Sequence, residues 1–375
     1  MLLYPVYALL FADAGLSTAE ISSLFAIWSV TSLVLEVPSG VWADVVSRRL
    51  LLAIAPLLSG AGFALWVFAP SYPAFALGFM LWGAQGALQS GALEALVYEE
   101  LDKLGAAPRY AGLMGRATAL GTIASGLAMG LAAPAFAAGG FAALGAASVA
   151  ACVAAAAVAA TFPERRARRG GGGSNSARAH AAVLRAGLQE VRSSPAVRRA
   201  LLLVPAVVAL WGSLDEYLPL LAIEAGAAAE AVPLLGLMVY GAMAGGGALA
   251  GRSNRLSRGG VALALLGAAV ALGAGALVRA PAGFVLIALG FCAFQAVTVV
   301  VDARLQDAIA GRARATVTSL AGLLTEVLVV AVFAAYAAGS LLADHATLFA
   351  LAAAGYVVVA VLAYRLLGPG RGSAR

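Results

Sequence analysis

Leu35-Glu36-Val37-Pro38-Ser39-Gly40-Val41-Trp42-Ala43-Asp44-Val45-Val46-Ser47-Arg48-Arg49 is a short charged loop wedged between two long apolar segments. An Asp stands four residues past a Gly, and a pair of Arg follows. Gly40 lets helices pack closely where the chain leaves the first apolar segment. Asp44 is placed to end that helix.

The surroundings define the solvent. Of 375 residues, 62% are hydrophobic and only 11% are charged, with a mean hydropathy of +0.95. A water-soluble domain of this length could not cover its surface with so few charges, so the solvent is mostly lipid. The two Cys, Cys152 and Cys292, both lie in apolar runs. That excludes a disulfide scaffold or a Cys-based metal site.

A bilayer core takes about 20 apolar residues per helix. On that measure spans are predicted near 1–14, 18–43, 50–69, 74–98, 114–133, 140–162, 200–223, 232–250, 260–278, 283–303, 316–338 and 346–366. If they alternate, the loops at 44–49, 99–113, 163–199, 251–259, 304–315 and 367–375 share one side. Those loops and their helix ends hold 23 of the 24 Lys and Arg, all but Arg279. The positive-inside rule makes that side cytoplasmic, with both termini, in a prokaryotic inner membrane. The net charge of +6 therefore reports topology, and no nucleic-acid partner is expected. The loops on the other side are short and leave no room for a domain.

The chain also repeats. Pro5 to Asp13-Ala14-Gly15 is similar to Pro219 to Glu224-Ala225-Gly226, and Gly40 corresponds at the same offset to Gly251. Arg116-Ala117-Thr118 echoes Arg314-Ala315-Thr316. The repeat makes the first span short at its cytoplasmic end, as a start codon called too late would. A cleaved signal peptide after Ala12-Asp13-Ala14 is the rival, but no basic region precedes it. Between the halves, Glu164-Arg165-Arg166-Ala167-Arg168-Arg169 runs into four Gly and Ser174-Asn175-Ser176, a flexible linker. Leu184, Leu188 and Val191 then share a helical face, with Arg178, Arg185 and Arg192 spaced by seven. This is either an amphipathic helix on the inner leaflet or a linker helix with solvated Arg.

The order Gly40, Asp44, Arg48-Arg49 resembles the loop after the second helix of the major facilitator superfamily (MFS). Val45 and Ser47 stand where that family usually has a basic residue and a Gly. Tyr98-Glu99-Glu100-Leu101 resembles a stretch of a prokaryotic, drug:proton-antiporter-like subgroup. The resemblance implies an all-α membrane protein with the MFS fold. That means two six-helix bundles of 12 transmembrane helices, the first one truncated. The halves are then 1–162 and 200–375, joined by a cytoplasmic linker over 163–199. It further implies that Asp44 meets the positive N-terminus of the eleventh span near Ala315-Thr316, closing the cytoplasmic side. The plainer reading is that Asp44, Arg48 and Arg49 end helices and anchor at phosphate headgroups. Arg255 replaces the Asp in the counterpart loop, so any latch is one-sided.

Ionisable groups inside spans each cost several kcal/mol unless they face a cavity or a partner. Glu36 sits about 12 Å above Asp44, and Glu326 about 18 Å above Arg314, near the midplane. The resemblance makes their spans neighbours, so the two carboxyls are candidates to share and carry a proton. Glu36 alternatively caps carbonyls loosened by Pro38. Asp215 and Glu216 lie about 24 Å from Arg199, flanked by Trp211 and Tyr217. Those rings suit a cationic or flat substrate, or form the interfacial belt. Glu94 is shallower, Asp302 has Arg304 beside it for an ion pair, and Arg116 snorkels. Gly121, Gly126, Gly130, Pro134 and Gly139-Gly140 are similar to the Gly-rich antiporter motif of span five, displaced by a few residues.

These readings converge on a transporter rather than an enzyme. His180 lies in the linker and His345 in an outer loop, so no His-based catalytic or metal site can form inside. The expected activity is alternating access with proton-coupled export of an amphipathic neutral or cationic compound. No cofactor is expected beyond the proton gradient, and the expected partners are substrate and lipid around a monomer. The alternatives are an importer or uniporter of a metabolite, or a receptor on the same fold. Epitope tags placed within 170–176 and 227–229 check the orientation. The first should be reached by antibody only in opened cells and the second in intact ones, and the reverse pattern would overturn the assignment.

Overall fold

A computed structural model of the chain describes residues 1–90, 92–164, 191–192, 194–253, 256–309 and 314–367. For 37–45, 196, 251–253 and 314–315 it describes the backbone alone. A 3-10 turn at Tyr4–Val6 leads into α1 (Tyr7–Asp13), α2 (Thr18–Val45), α3 (Arg48–Phe68), α4 (Tyr72–Gln89), α5 (Ala92–Lys103) and α6 (Tyr110–Ala160). Then come α7 (Pro195–Leu214), a 3-10 turn at Asp215–Tyr217, α8 (Leu218–Glu224) and α9 (Val232–Ser253). The chain closes with α10 (Arg258–Leu277), α11 (Phe284–Ala308), α12 (Arg314–Gly339) and α13 (His345–Leu366). No strand occurs among the described residues. The linker helix expected over 178–192 falls almost wholly outside them.

All-helical architecture is what hydrocarbon demands, because a helix satisfies its own backbone polar groups. Among the described residues, nine helices are long and apolar enough to cross a membrane. The protein is a multi-pass membrane protein. Large apolar side chains such as Phe68 (71% exposed), Leu263 (70%) and Val270 (70%) face outward, which water would not tolerate on this scale.

The second span, expected over 18–43, runs to Val45, and the turn to α3 is only Val46 and Ser47 wide. The fourth predicted span is split into α4 and α5, because Ser90 leaves helical geometry (φ −58, ψ 120). Within α6 there are two helical segments, as the separate spans five and six predict, and they meet at the non-helical Gly139 (φ −160) and Gly140 (φ 58). The apolar stretch Ala107–Ala160 is 54 residues long, about 80 Å if it were straight, so one bilayer crossing cannot contain it. Pro134 sits inside this helix.

The chain forms two compact units: Met1–Ala167 with Ala228–Leu237, and Arg168–Ala227 with Met238–Arg375. In unit 1, α2 and α3 pack on α4, and α6 packs on α3. Their shared interior is aromatic. Phe11, Phe25, Phe63, Trp66, Phe75 and Phe79 are all at most 1% exposed. Phe11 and Phe75 lie 4.4 Å apart between ring centroids, and Trp66 and Phe79 lie 4.7 Å apart. Lipid tails are as apolar as this interior, so its gain comes from close van der Waals contact. Each ring pair adds about 0.5–1.5 kcal/mol. The Trp66 indole also donates to the carbonyl of Phe75 at 3.1 Å. Gly78 is the condition for that contact, since a Cβ there would lie 2.0 Å from Trp66 Nε1.

In unit 2, α10 packs on α11 and α13, while α7 packs on α11, α12 and α13. The sequence repeat recurs as local structure. The turn at Tyr4–Val6 followed by α1 matches the turn at Asp215–Tyr217 followed by α8, at a constant offset of 211 residues. Both helices end on a left-handed glycine, Gly15 (φ 89) and Gly226 (φ 83). In each, the amide two positions beyond the helix cap reaches back to close the end. Leu16 N donates to Phe11 O at 3.1 Å, and Ala227 N to Ala222 O at 2.9 Å. This is the glycine-terminated Schellman closure.

Gly78→Ala is expected to lower stability by about 1–3 kcal/mol through overpacking against Trp66. Gly86→Ala, whose added Cβ meets nothing within 4 Å, should be neutral. Thermal unfolding in detergent, followed by Trp emission, compares the two, and equal midpoints would show that the indole is not held there.

Candidate functional site

The ionisable cluster inside unit 2 follows α7, whose last turns are joined to α13 by one side chain. The Tyr356 hydroxyl accepts from Trp211 N at 2.9 Å and donates to Val207 O at 3.0 Å, so a buried phenol is satisfied on both counts by the backbone of α7. The Tyr356 ring is held by stacking on Phe294 at 4.1 Å. One turn further on, α7 tightens into the 3-10 turn that carries Asp215 and Glu216.

Tyr240, on α9, donates its hydroxyl to Asp215 Oδ2 at 2.5 Å. The other oxygen, Oδ1, is buried and has no hydrogen-bond partner. Glu216 is 9% exposed. Two adjacent carboxyl groups in a membrane span, one with an unsatisfied buried oxygen, are costly unless a proton or a cation completes them. The flanking aromatics are spent on packing. Trp211 donates from Nε1 to Thr298 Oγ1 at 3.3 Å and meets Phe291 edge-on. Tyr217 is fully buried and stacks on Tyr336 with centroids 3.6 Å apart.

The other sequence candidates are dispersed. Glu326 is half-buried on α12 of unit 2 and engaged in interactions there. Glu36 occupies an exposed position on α2 of unit 1, and Glu94 is exposed in the first turn of α5. Arg304 donates to Leu256 O at 2.5 Å rather than to Asp302, as side chains two apart on a helix do not face each other. Gly126 and Gly130 reach only ordinary contact with Leu237, and nothing lies near Gly121.

Of the gating motif and its expected partners near Ala315-Thr316, the side chains of Asp44 and Ala315 lie outside the described ones, while Thr316 is buried and engaged in interactions. Arg49 is exposed. Arg48 pairs with Glu99 at 2.7 Å. Its amide donates to Glu164 Oε1 at 2.8 Å, and the Ser47 hydroxyl donates to the same carboxylate. Ser47 also caps α3, accepting from Leu50 N at 3.1 Å. Three elements of unit 1 are thus tied at the start of α3 by charge-assisted bonds.

Sequence reasoning missed Tyr240, Tyr356, Glu99 and Glu164 as partners. The signal for the tyrosines was present: a Tyr deep in an apolar helix must find a partner for its hydroxyl. Which partner was not readable, since Tyr356 lies 145 residues from Trp211.

The model of the Major Facilitator Superfamily matches residues 1–334. No curated relative matches the sequence. Among solved structures, the chain is similar to a bacterial homologue of the human lysosomal transporter Spinster in an inward-facing, unoccupied conformation. That match has a TM-score of 0.70 at 13% identity, covering 98% of this chain and 94% of the other. The nucleoside transporter NupG matches with TM-score 0.68 at 14% identity, covering 97% and 94%. A D-xylose–proton symporter matches with TM-score 0.67 at 15% identity, covering 99% and 93%. At such identities these likenesses show the fold alone, and the fold is that of transporters. With the family model spanning most of its length, the chain belongs to the Major Facilitator Superfamily.

Proposed function

We propose that this protein exports a small amphipathic compound, neutral or cationic, in exchange for protons, by alternating access across a prokaryotic inner membrane. The observation that carries the reading is the state of Asp215. One carboxyl oxygen is fixed by Tyr240, and the other is buried with no partner. A proton on Oδ1 removes the charge whose burial is costly, and a cation beside it does the same. A carboxyl that must be completed by one or the other can exchange them, which is the chemistry of an antiporter. Glu216 supplies a second carboxyl at the same depth, and Glu326 and Glu36 are further candidates along the route. The spans carry no cluster of basic residues that would favour an organic anion.

The backbone of α7 beneath the pair is tied to α13 through the Tyr356 hydroxyl. The bonds of Arg48 with Glu99, and of Ser47 and Arg48 with Glu164, brace unit 1 at the start of α3.

Proteoliposomes with an imposed pH gradient test the reading, with lumenal pH followed while cationic dyes and antibiotics are added. Compound-evoked proton flux is expected, reduced about a hundredfold in Asp215→Asn and partly kept in Asp215→Glu. Tyr240→Phe should shift the pH profile while leaving dye binding in place. No evoked flux with any cation, from folded protein, would sink proton-coupled export and leave uniport or uptake.

A further inference from the structure

The end of unit 2 formed by the α8–α9, α10–α11 and α12–α13 turns holds a second cluster of titratable groups, outside the site above. Glu224, the last residue of α8, accepts from the amides of His345 and Ala346, each at 2.8 Å. Asp344 accepts from Thr347 N at 2.9 Å and pairs with Arg279 at 2.6 Å. Two carboxylates thereby satisfy three of the open amides at the start of α13 and sit at the positive end of its dipole. Arg279 is the one non-glycine residue with positive φ (51) among the described residues. That left-handed geometry is strained for a residue with a Cβ.

Asp344 keeps its charge throughout the physiological range. Hydrogen bonding to Thr347, and then the Arg279 guanidinium, hold its carboxyl well below the usual carboxylate range. Asp344 is therefore a fixed charge, and His345 brings the cluster its imidazole, a side chain able to take up or release a proton. Its ring is half-buried and faces Glu224, Asp344 and Tyr336, with Arg279 behind Asp344. His345 Nδ1 lies 2.7 Å from the Tyr336 hydroxyl.

That bond has a direction. While Nδ1 is bare, Tyr336 donates to it. Once Nδ1 gains a proton it becomes the donor, and the Tyr336 hydroxyl must accept and turn its own hydrogen elsewhere. Tyr336 is buried and stacks with its ring 16° from that of Tyr217, centroids 3.6 Å apart. Tyr217 is the residue next to Glu216. One hydrogen bond and one ring stack thus join His345 to the residue beside Glu216.

We infer that His345 is a proton-binding site at this end of unit 2, coupled through the stacked Tyr336–Tyr217 pair to the Asp215–Glu216 carboxyls. The inference rests on the proton-coupled reading of that pair. It makes His345 the group that reports pH on its side of the membrane to the transport site.

The chain has two histidines, so a His180→Gln background leaves His345 as a single resonance in 15N-histidine spectra. Its resonance is expected to titrate, and the midpoint to move in both Tyr336→Phe and Glu216→Gln. A midpoint indifferent to Glu216→Gln would overturn the coupling. In proteoliposomes, His345→Gln keeps the backbone caps of α13. It is expected to bind dye normally but to lose the dependence of flux on the pH of that side. Wild-type flux with an unchanged pH profile in His345→Gln overturns the inference and leaves proton exchange standing. Absence of evoked flux in the wild type overturns proton exchange itself, and the role of His345 with it.

Discussion

Hydrocarbon offers a backbone amide nothing to bond to, and most of this structure follows from that constraint. It makes every described element helical, and it makes each departure from a helix answerable to a named partner. Where α6 departs from helical geometry, the two residues that do so are glycines, Gly139 and Gly140. Where α1 and α8 end, a left-handed glycine folds the next amides back onto the last carbonyls. At the start of α13, the carboxylates of Glu224 and Asp344 do the same work. The breaks are few because each one requires a residue elsewhere in the chain to meet it.

The two units use one local design for different ends. Tyr4-Pro5-Val6 and Asp215-Glu216-Tyr217 occupy the same 3-10 turn, 211 residues apart. In unit 1 the turn adjoins an interior of packed rings, where Tyr7 meets Trp66 and Phe79 and no ionisable group has to be accommodated. In unit 2 the same turn carries two acids, and tyrosines from α9, α12 and α13 surround it. Ring packing makes a rigid body that gains nothing by changing state. A buried acid with an open oxygen is a group whose energy depends on what occupies it.

Much of the architecture was legible from composition and spacing. Apolar runs of about 20 residues marked nearly every helix, and the 211-residue offset announced the repeat. The fourth span was misread, because Ser90 breaks it through a change of backbone angle that hydropathy does not register. Among the site residues, Asp215 and Glu216 were conspicuous as charges in an apolar run. Tyr240 and Tyr356 were not, since a tyrosine in a membrane helix looks the same whether it packs, anchors or bonds.

What the sequence determined by itself is therefore whatever depends on the solvent: an all-helical membrane chain, its repeat, and the positions where acids enter the spans. Those follow from local transfer energies, which each residue carries wherever it lies. Tertiary structure alone decided which groups complete one another. Tyr240 meets Asp215 across 25 residues, Tyr356 meets Trp211 across 145, and Glu224 meets His345 across 121. A hydrogen bond is won or lost within a few tenths of an ångström, and only the packed helices set distances to that precision.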